Sequence, residues 1–449
     1  PFSAFRIEIL METLLLSTPV AFVFTLGILI FVHELGHFLV ARWSGIRVER
    51  FSIGFGPKII AHTVGETEYC LAWIPLGGYV KVAGMADMGS EETTGEPWEY
   101  PSKPVLVRMA VIGAGPFMNF LFAFLALVFL FNSYGINAYQ PALISPQPES
   151  IAEYSGIEYG DELISINDQL VSDTHSFSKA IEDIGNSGGQ FDIIRNGREL
   201  TVTLPPSAEV RYGLEILIPA TVGEVLSGKP AALLGLKQGD QIVSVAKNTV
   251  DSWLTMSNEI RRHPNQEIPI EWLRDGIKMS GSIEPYGLES GDLIVGQIGI
   301  GPTEGIRVNI GMGESIALAG RSVYDSSLMI VKFIGQLFQG QRSTNELGGP
   351  LRIAEQAGKS AQSGLEMFVG FLAMLSVNLA VINLVPIPVL DGGHLFFLLL
   401  EGIMGRPLSA RAREWIQYVG LAIMFSLMFF VIFNDLNQMV FHHISNFFD

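Results

Sequence analysis

The chain of 449 residues carries a formal net charge of −17, yet only 16% of its residues are charged and its mean hydropathy is +0.36. This composition indicates an integral membrane protein with a sizeable water-exposed part, and the length allows two or three domains. The acidic balance, with no cluster of Lys and Arg, excludes nucleic acid as a partner. A single cysteine, Cys70, excludes an intramolecular disulfide.

Four segments are long and apolar enough to span a bilayer, which takes about 20 helical residues. Residues 1–10 precede the first methionine, Met11, and are treated as an atypical N-terminal segment outside the fold. Basic residues concentrate in the loops between the first two and between the last two spans. The positive-inside rule therefore predicts that these loops are cytoplasmic and that both termini face outward. The predicted spans are residues 14–40, 105–131, 367–386 and 415–433.

The first span contains the stretch LIFVHELGHFLV, in which His33, Glu34 and His37 interrupt an apolar helix. Ionisable side chains at membrane depth are costly, which favours a functional role over packing alone. Histidines four residues apart lie on one helix face and can bind the same zinc ion, and the glutamate between them can act on a water molecule there. The first span therefore predicts two ligands of a catalytic zinc site and its general base.

The loop after the first span has strand-like alternation. The stretches RVERFSIGFG and EYCLAWIPLGGYVKV alternate apolar and polar residues, with Gly77 and Gly78 as punctuation. We expect a β-hairpin or a small sheet. A plain structured cytoplasmic loop is the alternative.

The second span contains GAGPFMNF, which places Gly115 and Asn119 one helical turn apart. Small residues allow close contact between helices, and an amide deep in a membrane needs a partner. Helix packing and a role at the active site explain this pattern equally well.

Between the second and third spans an internal repeat appears. GIEYGDELIS, from Gly156, matches GLKQGDQIVS, from Gly235, which begins 79 residues later, and an apolar strand, a polar helix and a second strand follow each copy. A third fragment, GLESGDLIVG from Gly287, follows too soon to be another copy, so chance or a terminal strand explains it better. The two copies resemble bacterial PDZ domains, which implies a groove where a peptide adds as a strand; a β-rich module without such a groove is the alternative.

Helical periodicity continues in the segment from Ser315 to Gly340, but Lys332 and other polar residues interrupt its apolar face. This pattern predicts a helix that lies on the membrane surface or packs under the PDZ-like domains, and not a fifth span.

The third span ends in NLVPIPVLDGGH, where Pro386 and Pro388 break the helix just before Asp391. Broken backbone at membrane depth requires surrounding protein or a water-filled cavity. Asp391 is therefore a candidate third metal ligand, although a helix cap before His394 is the alternative. The charge rule places Asp391 at the same depth as the two histidines if the segment from Ser315 to Gly340 does not cross the membrane.

Together, HELGH, GAGPFMNF, the LDG of NLVPIPVLDGG and the tandem PDZ-like domains resemble the site-2 protease family of intramembrane zinc metalloproteases, over nearly all of residues 11–433. The resemblance implies that His33, His37 and Asp391 bind Zn²⁺ and that Glu34 is the general base. It also implies that Asn383 positions substrate, and Asn119 and Gly115 are further candidates for that role. The hairpin would offer a strand edge to an unwound substrate, while the role of LGGPLRIAE, around Gly349, is left open.

The implied substrates are single-span membrane proteins of the anti-sigma-factor type, and remnant signal peptides are a second candidate. The implied location is the bacterial inner membrane, with the termini and PDZ-like domains periplasmic and the active site near the cytoplasmic face. Other expected partners are the lipid bilayer and protein C-termini in the PDZ-like grooves. The rival hypothesis is a non-catalytic PDZ-bearing scaffold or receptor with structural zinc. Zinc transport is less favoured because no inverted repeat appears. The adjacent residues His442 and His443 are not expected to be metal ligands, because neighbouring side chains do not share a helix face.

The predicted fold is thus a multi-pass α-helical membrane protein with four transmembrane helices and two tandem β-rich PDZ-like domains between the second and third spans. In chain order, we predict an atypical segment (1–10), the first transmembrane helix with HExxH (11–43), a cytoplasmic loop with a membrane-associated β-hairpin (44–104), the second transmembrane helix (105–131), the first PDZ-like domain (132–211), the second (212–290), a linker with an amphipathic surface helix (291–365), the third transmembrane helix with the LDG segment (366–404), a basic loop and fourth transmembrane helix (405–434), and an outer tail (435–449).

Overall fold

A computed structural model of the chain divides into two compact units. The helical unit comprises residues 1–134 and 310–449, and the β-rich unit comprises residues 135–309. The predicted segment 1–10 and the start of the first predicted span lie outside the described residues. The structure describes residues 18–85, 94–139, 142–208, 210–290, 293–303, 305–340, 348–406 and 409–448.

The described part of the helical unit starts with two long apolar helices separated by a β-hairpin. The two helices approach closely because Gly36 has no side chain: a Cβ atom there would lie 2.2 Å from the Ala114 carbonyl oxygen. Small residues at such a crossing let helix backbones pack in a membrane protein. These elements are α1 (Thr18–Trp43), β1 (Val48–Val64), β2 (Thr67–Val82) and α2 (Val105–Tyr134).

The predicted hairpin is confirmed: Val64 pairs with Thr67 across its turn. Residues 50–53 pair with residues 78–81 on one side and 68–71 on the other, so the two long strands fold back into a small sheet. Gly77 and Gly78 lie inside β2, whereas the sequence suggested punctuation there. The glycine pair thus marks a place where another part of the protein approaches the strand, and not a turn.

The β-rich unit contains two copies of one supersecondary pattern, as the repeat predicted. The elements in chain order are β3 (Ile136–Ala138), β4 (Leu143–Pro146), α3 (Ile151–Tyr154), β5 (Asp161–Ile166), β6 (Gln169–Leu170), α4 (Thr174–Ile184), β7 (Gly189–Arg195), β8 (Arg198–Leu204), β9 (Leu214–Leu217), β10 (Val222–Val225), α5 (Pro230–Leu234), β11 (Gln241–Val245), β12 (Asn248–Thr249), α6 (Trp253–Arg261), β13 (Ile268–Arg274), β14 (Ile277–Ile283), β15 (Tyr286–Ser290), β16 (Leu293–Gln297), β17 (Ile300–Pro302) and β18 (Ile306–Val308). In the first copy the strand order is β8-β7-β5-β4-β9. In the second copy β14-β13-β11-β12 forms one sheet, while β10 and β17 pair separately.

The fragment GLESGDLIVG is not a third copy. It forms the hairpin of β15 and β16, which is inserted in the second copy before β17. Each copy has its own hydrophobic core, built around Phe177 and Phe191 in the first and around Ile270 and Trp272 in the second.

The Gly-Asp pair of the repeat has a structural role in both copies. Asp161 and Asp240 are each 1% exposed, and each binds an arginine of a neighbouring strand: Arg195 and Arg274, respectively, with Nη2 to Oδ2 distances of 2.6 Å. Each carboxylate also accepts a hydrogen bond from a backbone N–H three residues before it, at 2.8 Å. A buried carboxylate needs such partners. The Gly-Asp pair is therefore repeated because it stabilises the fold of each copy.

Among the described residues, the helical unit resumes with five helices: α7 (Met312–Phe338), α8 (Pro350–Gln362), α9 (Leu365–Leu384), α10 (Asp391–Met404) and α11 (Ala410–Phe448). Two of these, α9 and the part of α11 from Trp415 to Leu436, are long and apolar enough to cross a membrane, as are α1 and α2. The described residues therefore contain the four predicted candidates. Residues 435–448 therefore continue α11, where the sequence suggested a separate tail.

The sequence predicted that the apolar stripe of α7 faces the membrane surface or the PDZ-like domains, but part of it packs against other helices. Val323 and Ile330 pack against a core that includes Ala123 of α2 and Ala373 of α9. Neighbouring helices therefore bury part of the stripe that the sequence assigned to lipid or to the PDZ-like domains.

The stretch LGGPLRIAE, whose role the sequence left open, forms the start of α8. The backbone N–H groups of Gly349, Leu351 and Arg352 donate to the carboxylate of Asp435, at 3.0, 3.1 and 3.3 Å. Asp435 is fully buried, and a Cβ on Gly349 would lie 2.5 Å from its Oδ2 atom. A carboxylate is favourable at the positive end of a helix, so this contact joins α8 to α11.

Candidate metal centre and active site

Three predicted ligands converge in the helical unit. His33 Nε2 lies 3.2 Å from His37 Nε2 and 3.1 Å from Asp391 Oδ2, and His37 Nε2 lies 3.6 Å from Asp391 Oδ1. Tetrahedral zinc with bonds of about 2.0–2.2 Å separates its ligand atoms by roughly 3.3–3.6 Å. The spacing therefore fits three corners of a zinc site.

The chemistry of these atoms also fits a cation. Asp391 Oδ2 is buried and has no hydrogen-bond partner among the described residues, although His33 Nε2 is close. His37 Nδ1 lies 2.8 Å from the Val111 carbonyl oxygen and donates to it, which leaves the Nε2 lone pair of His37 free. Such a hydrogen bond is the usual way in which proteins orient a metal-binding histidine.

Local sequence explains how Asp391 reaches the histidines. It is the first residue of α10, after a turn that contains the two prolines and Val389 at φ +102°. This φ is rare for a β-branched residue and marks local strain. A Cβ on Gly392 would lie 2.3 Å from the carbonyl oxygen of Leu384 at the end of α9, and a Cβ on Gly393 would lie 2.3 Å from that of Ile387 in the turn. Both glycines of LDGG are therefore needed for the helix to start there.

Glu34 lies beside the ligands and is buried. Together with the three ligands it lines a cavity of about 330 Å³. Strand β2 passes so close to Glu34 that a Cβ on Gly78 would lie 2.8 Å from its Cγ atom. The strand, the carboxylate and the ligands therefore meet at one cavity.

The structure divides the three predicted substrate-positioning residues. Asn383, in the last turn of α9, lines the cavity, whereas Asn119 and Gly115 are absent from its wall. They contact the histidines instead: Asn119 Nδ2 lies 3.2 Å from His33 Nδ1, and a Cβ on Gly115 would lie 2.4 Å from His37 Nε2. The physical reason is the close packing of α2 on α1, which leaves no space for substrate between them.

Several residues of the site were not predicted. Tyr79, Tyr100 and His394 line the cavity. The sequence signal for Tyr79 was the glycine pair beside it, and the signal for His394 was its position just after LDGG. Nothing in the sequence singled out Tyr100.

A buried ion pair, also not predicted, joins α10 to α2. Arg108 Nη2 lies 2.6 Å from Glu401 Oε1, and Arg108 Nη1 lies 3.3 Å from Glu401 Oε2. The two side chains are only 12% and 17% exposed. Because Glu401 is on the helix that begins with Asp391, the pair fixes that helix against α2.

The donor set is that of a catalytic site. Within the part of the chain that the structure describes, the only cluster of His, Cys, Asp or Glu that could hold a metal has three members, His33, His37 and Asp391. Structural zinc sites usually have four protein ligands, while catalytic sites keep a position open for water or substrate. The geometry therefore favours catalysis over the scaffold hypothesis.

Comparison with known proteins agrees with this geometry. Residues 21–427 match the family described as Peptidase family M50. The chain is 36% identical to Protease RseP of Yersinia pestis, over 93% of this chain and 98% of the relative, and 34% identical to Regulator of sigma-E protease RseP of Escherichia coli over the same shares. It is also 32% identical to a protein of Neisseria meningitidis whose name describes a zinc metalloprotease. This match covers 95% of this chain and 100% of the relative.

These matches cover the helices, the β-rich unit and the metal centre together. The chain therefore belongs to peptidase family M50, as a multi-pass membrane zinc metalloprotease of the site-2 type.

Proposed function

We propose that the chain hydrolyses peptide bonds within the transmembrane segments of single-span membrane proteins. The observation that carries the proposal is the meeting of three metal-binding side chains and Glu34 at one cavity between apolar helices. In this proposal His33, His37 and Asp391 hold Zn²⁺, and Glu34 is the general base.

The residues divide the chemical work. Zinc, when bound, supplies a Lewis acid that polarises the scissile carbonyl group. Glu34 takes a proton from the attacking water and passes it to the leaving amine. The cavity admits water, which the surrounding bilayer lacks. The packing of α1 on α2 holds the two histidines in position, and the turn before α10 holds Asp391.

A helical substrate must unwind before its amide groups can react. Residues Gly78 to Val80 of β2 line the cavity, and we assign this strand the role of a template along which the unwound segment lies. Asn383 lies on the same wall, where its amide can bind the substrate backbone. These contacts would hold the scissile bond near Glu34.

The PDZ-like domains would control which proteins reach this cavity. In the first copy, β9 is the last strand of its sheet, and a peptide C-terminus could add to it beside α4. The corresponding place in the second copy lies between β17 and α6. We assign these grooves either the capture of newly exposed C-termini or the exclusion of substrates with large outer domains.

The substrate class and the location follow from the relatives and from the charge pattern. Relatives are named regulators of sigma E, which supports membrane proteins of the anti-sigma-factor type as substrates, with remnant signal peptides as a second class. The basic loops support an inner-membrane topology with the termini and PDZ-like domains periplasmic and the active site near the cytoplasmic face.

The test is cleavage of a single-span test substrate by full-length protein in proteoliposomes, combined with metal analysis. Glu34→Gln should retain zinc and lose at least about 100-fold in rate, because general-base catalysis contributes roughly 10²–10⁴-fold. Glu66→Gln, in the hairpin turn with its side chain 64% exposed, is the matched control and should cleave normally. Wild-type cleavage by Glu34→Gln would rule out Glu34 as the general base. Stoichiometric zinc in a wild-type protein that cleaves nothing would favour the scaffold with structural zinc.

A further inference from the structure

The side chain of Asn119 is fully buried and only half satisfied. Its Nδ2 atom lies 3.2 Å from His33 Nδ1, while its Oδ1 atom has no hydrogen-bond partner among the described residues. Its backbone carbonyl accepts a hydrogen bond from Ser376 Oγ at 2.8 Å. The backbone is therefore held by α9, and the amide can change only by rotating about its own bonds.

Zinc binding by His33 would determine the orientation of the Asn119 side-chain amide. If His33 binds zinc through Nε2, the proton of its ring must lie on Nδ1, and that N–H needs an acceptor. An amide nitrogen can only donate, so it cannot fill this role. A rotation of about 180° about the Cβ–Cγ bond brings the unpartnered Oδ1 atom to the place of Nδ2, where it can accept.

We infer that Asn119 is a positioning residue that accepts a hydrogen bond from His33 Nδ1–H and holds the Nε2 lone pair of His33 toward the metal. The Val111 carbonyl does the same for His37. Both ligands on α1 are thus oriented by α2, one through a backbone atom and one through a side chain. This inference rests on the proposed zinc site and replaces the predicted contact of Asn119 with substrate.

The experiment measures zinc affinity of the full-length protein in detergent by competition with a chelator. Asn119→Leu, similar in volume but without an acceptor, should bind zinc about 10–100-fold more weakly. Asn119→Asp retains an acceptor at either oxygen and should keep the wild-type affinity. Ser376→Ala removes the contact with the Asn119 backbone only and should also keep it.

A second readout separates orientation from substrate contact. With Co²⁺ in place of zinc, the visible absorption of the Asn119→Leu protein should change in intensity or position, while that of Asn119→Asp should follow the wild type. Wild-type metal affinity in Asn119→Leu together with slower cleavage would overturn the inference in favour of a substrate contact.

Equal losses of affinity in Asn119→Leu and Asn119→Asp would also overturn it, because packing would then be the role of the amide. If Asn119→Leu does not fold, Asn119→Asp decides: retained affinity supports the inference and a 10-fold loss contradicts it. A wild-type protein without stoichiometric zinc would overturn the proposed function itself, and this outcome is visible before any variant is compared.

Discussion

At the scale of single residues, the metal centre depends as much on absent side chains as on the ligands. Gly115, Gly392 and Gly393 each occupy a place where a Cβ atom would collide with a candidate ligand or with the backbone that leads to one. Each of these contacts is with a ring atom or a backbone atom that cannot move without displacing the site. Glycine at these positions is therefore needed for the proposed metal centre to form.

Substitution of Gly115 tests this view. Gly115→Ala should lower zinc affinity by at least about 10-fold, the order of effect seen when the surroundings of a metal ligand are disturbed, because the new methyl group would meet His37 Nε2. Zinc content after dialysis against a chelator is the measurement. Gly113→Ala is the matched control on the same helix, where a Cβ would have nothing within 4 Å; equal zinc binding by both variants would contradict the prediction.

The sequence predicted the candidate metal ligands but not the residues that hold them in place, and the reason is physical. HExxH and LDG can each be recognised within one short stretch of sequence. The helical spacing of the two histidines identifies the first, and the prolines that break the helix before Asp391 identify the second. The partners of these residues are remote: Val111 and Asn119 touch the histidines from another helix, and Gly78 touches Glu34 from a strand. No local pattern in a single sequence shows which face of one helix meets another.

At the scale of elements, the placement of α10 is the arrangement on which the third ligand depends. The helix begins at Asp391, and the Arg108 ion pair holds its other half through Glu401. Breaking a buried pair leaves one unpaired charge and typically costs about 3–5 kcal/mol, whereas replacing both partners with apolar side chains can be nearly neutral. The pair therefore lends itself to a double-mutant cycle.

We expect Arg108→Met and Glu401→Leu each to lower thermal stability and zinc affinity, and the double variant to regain most of both. Thermal unfolding in detergent and chelator competition are the measurements. Glu355→Gln serves as the control, because the ion pair of Glu355 with Lys359 is exposed and exposed pairs are worth about 0–1 kcal/mol. Additive losses in the double variant would show that the two side chains do not act as a pair.

At the scale of the whole molecule, the two most visible sequence patterns serve different purposes. HExxH and LDG report chemistry in the helical unit, whereas the repeated Gly-Asp pair reports how the β-rich unit folds. The repeat period and the strand and helix order were predictable because both copies bury the same carboxylate against an arginine. The β15–β16 hairpin and the use of α7 for helix packing were not, because both depend on contacts between distant segments.

The division into two units, each with its own hydrophobic cores, predicts that damage to one PDZ-like copy leaves the metal centre intact. Burial disfavours the charged form of Asp240, but the hydrogen bonds from Arg274 and from a backbone N–H outweigh it and hold the pKa of Asp240 below its usual range. Because the pKa is lower in the folded state, this stabilisation is present above the unfolded value, about 3.9, and is lost as the pH falls through the folded value.

Asp240→Asn should therefore destabilise the second copy by about 1–3 kcal/mol at pH 7, and the difference from the wild type should shrink below about pH 4. Hydrogen exchange of β11 and β13 at increasing urea in the full chain measures this, and zinc content measures the helical unit. Asp275→Asn, in an exposed turn at φ +52° that asparagine tolerates, is the control. Loss of zinc in Asp240→Asn would contradict the independence of the two units, because the substitution lies wholly within the core of one of them.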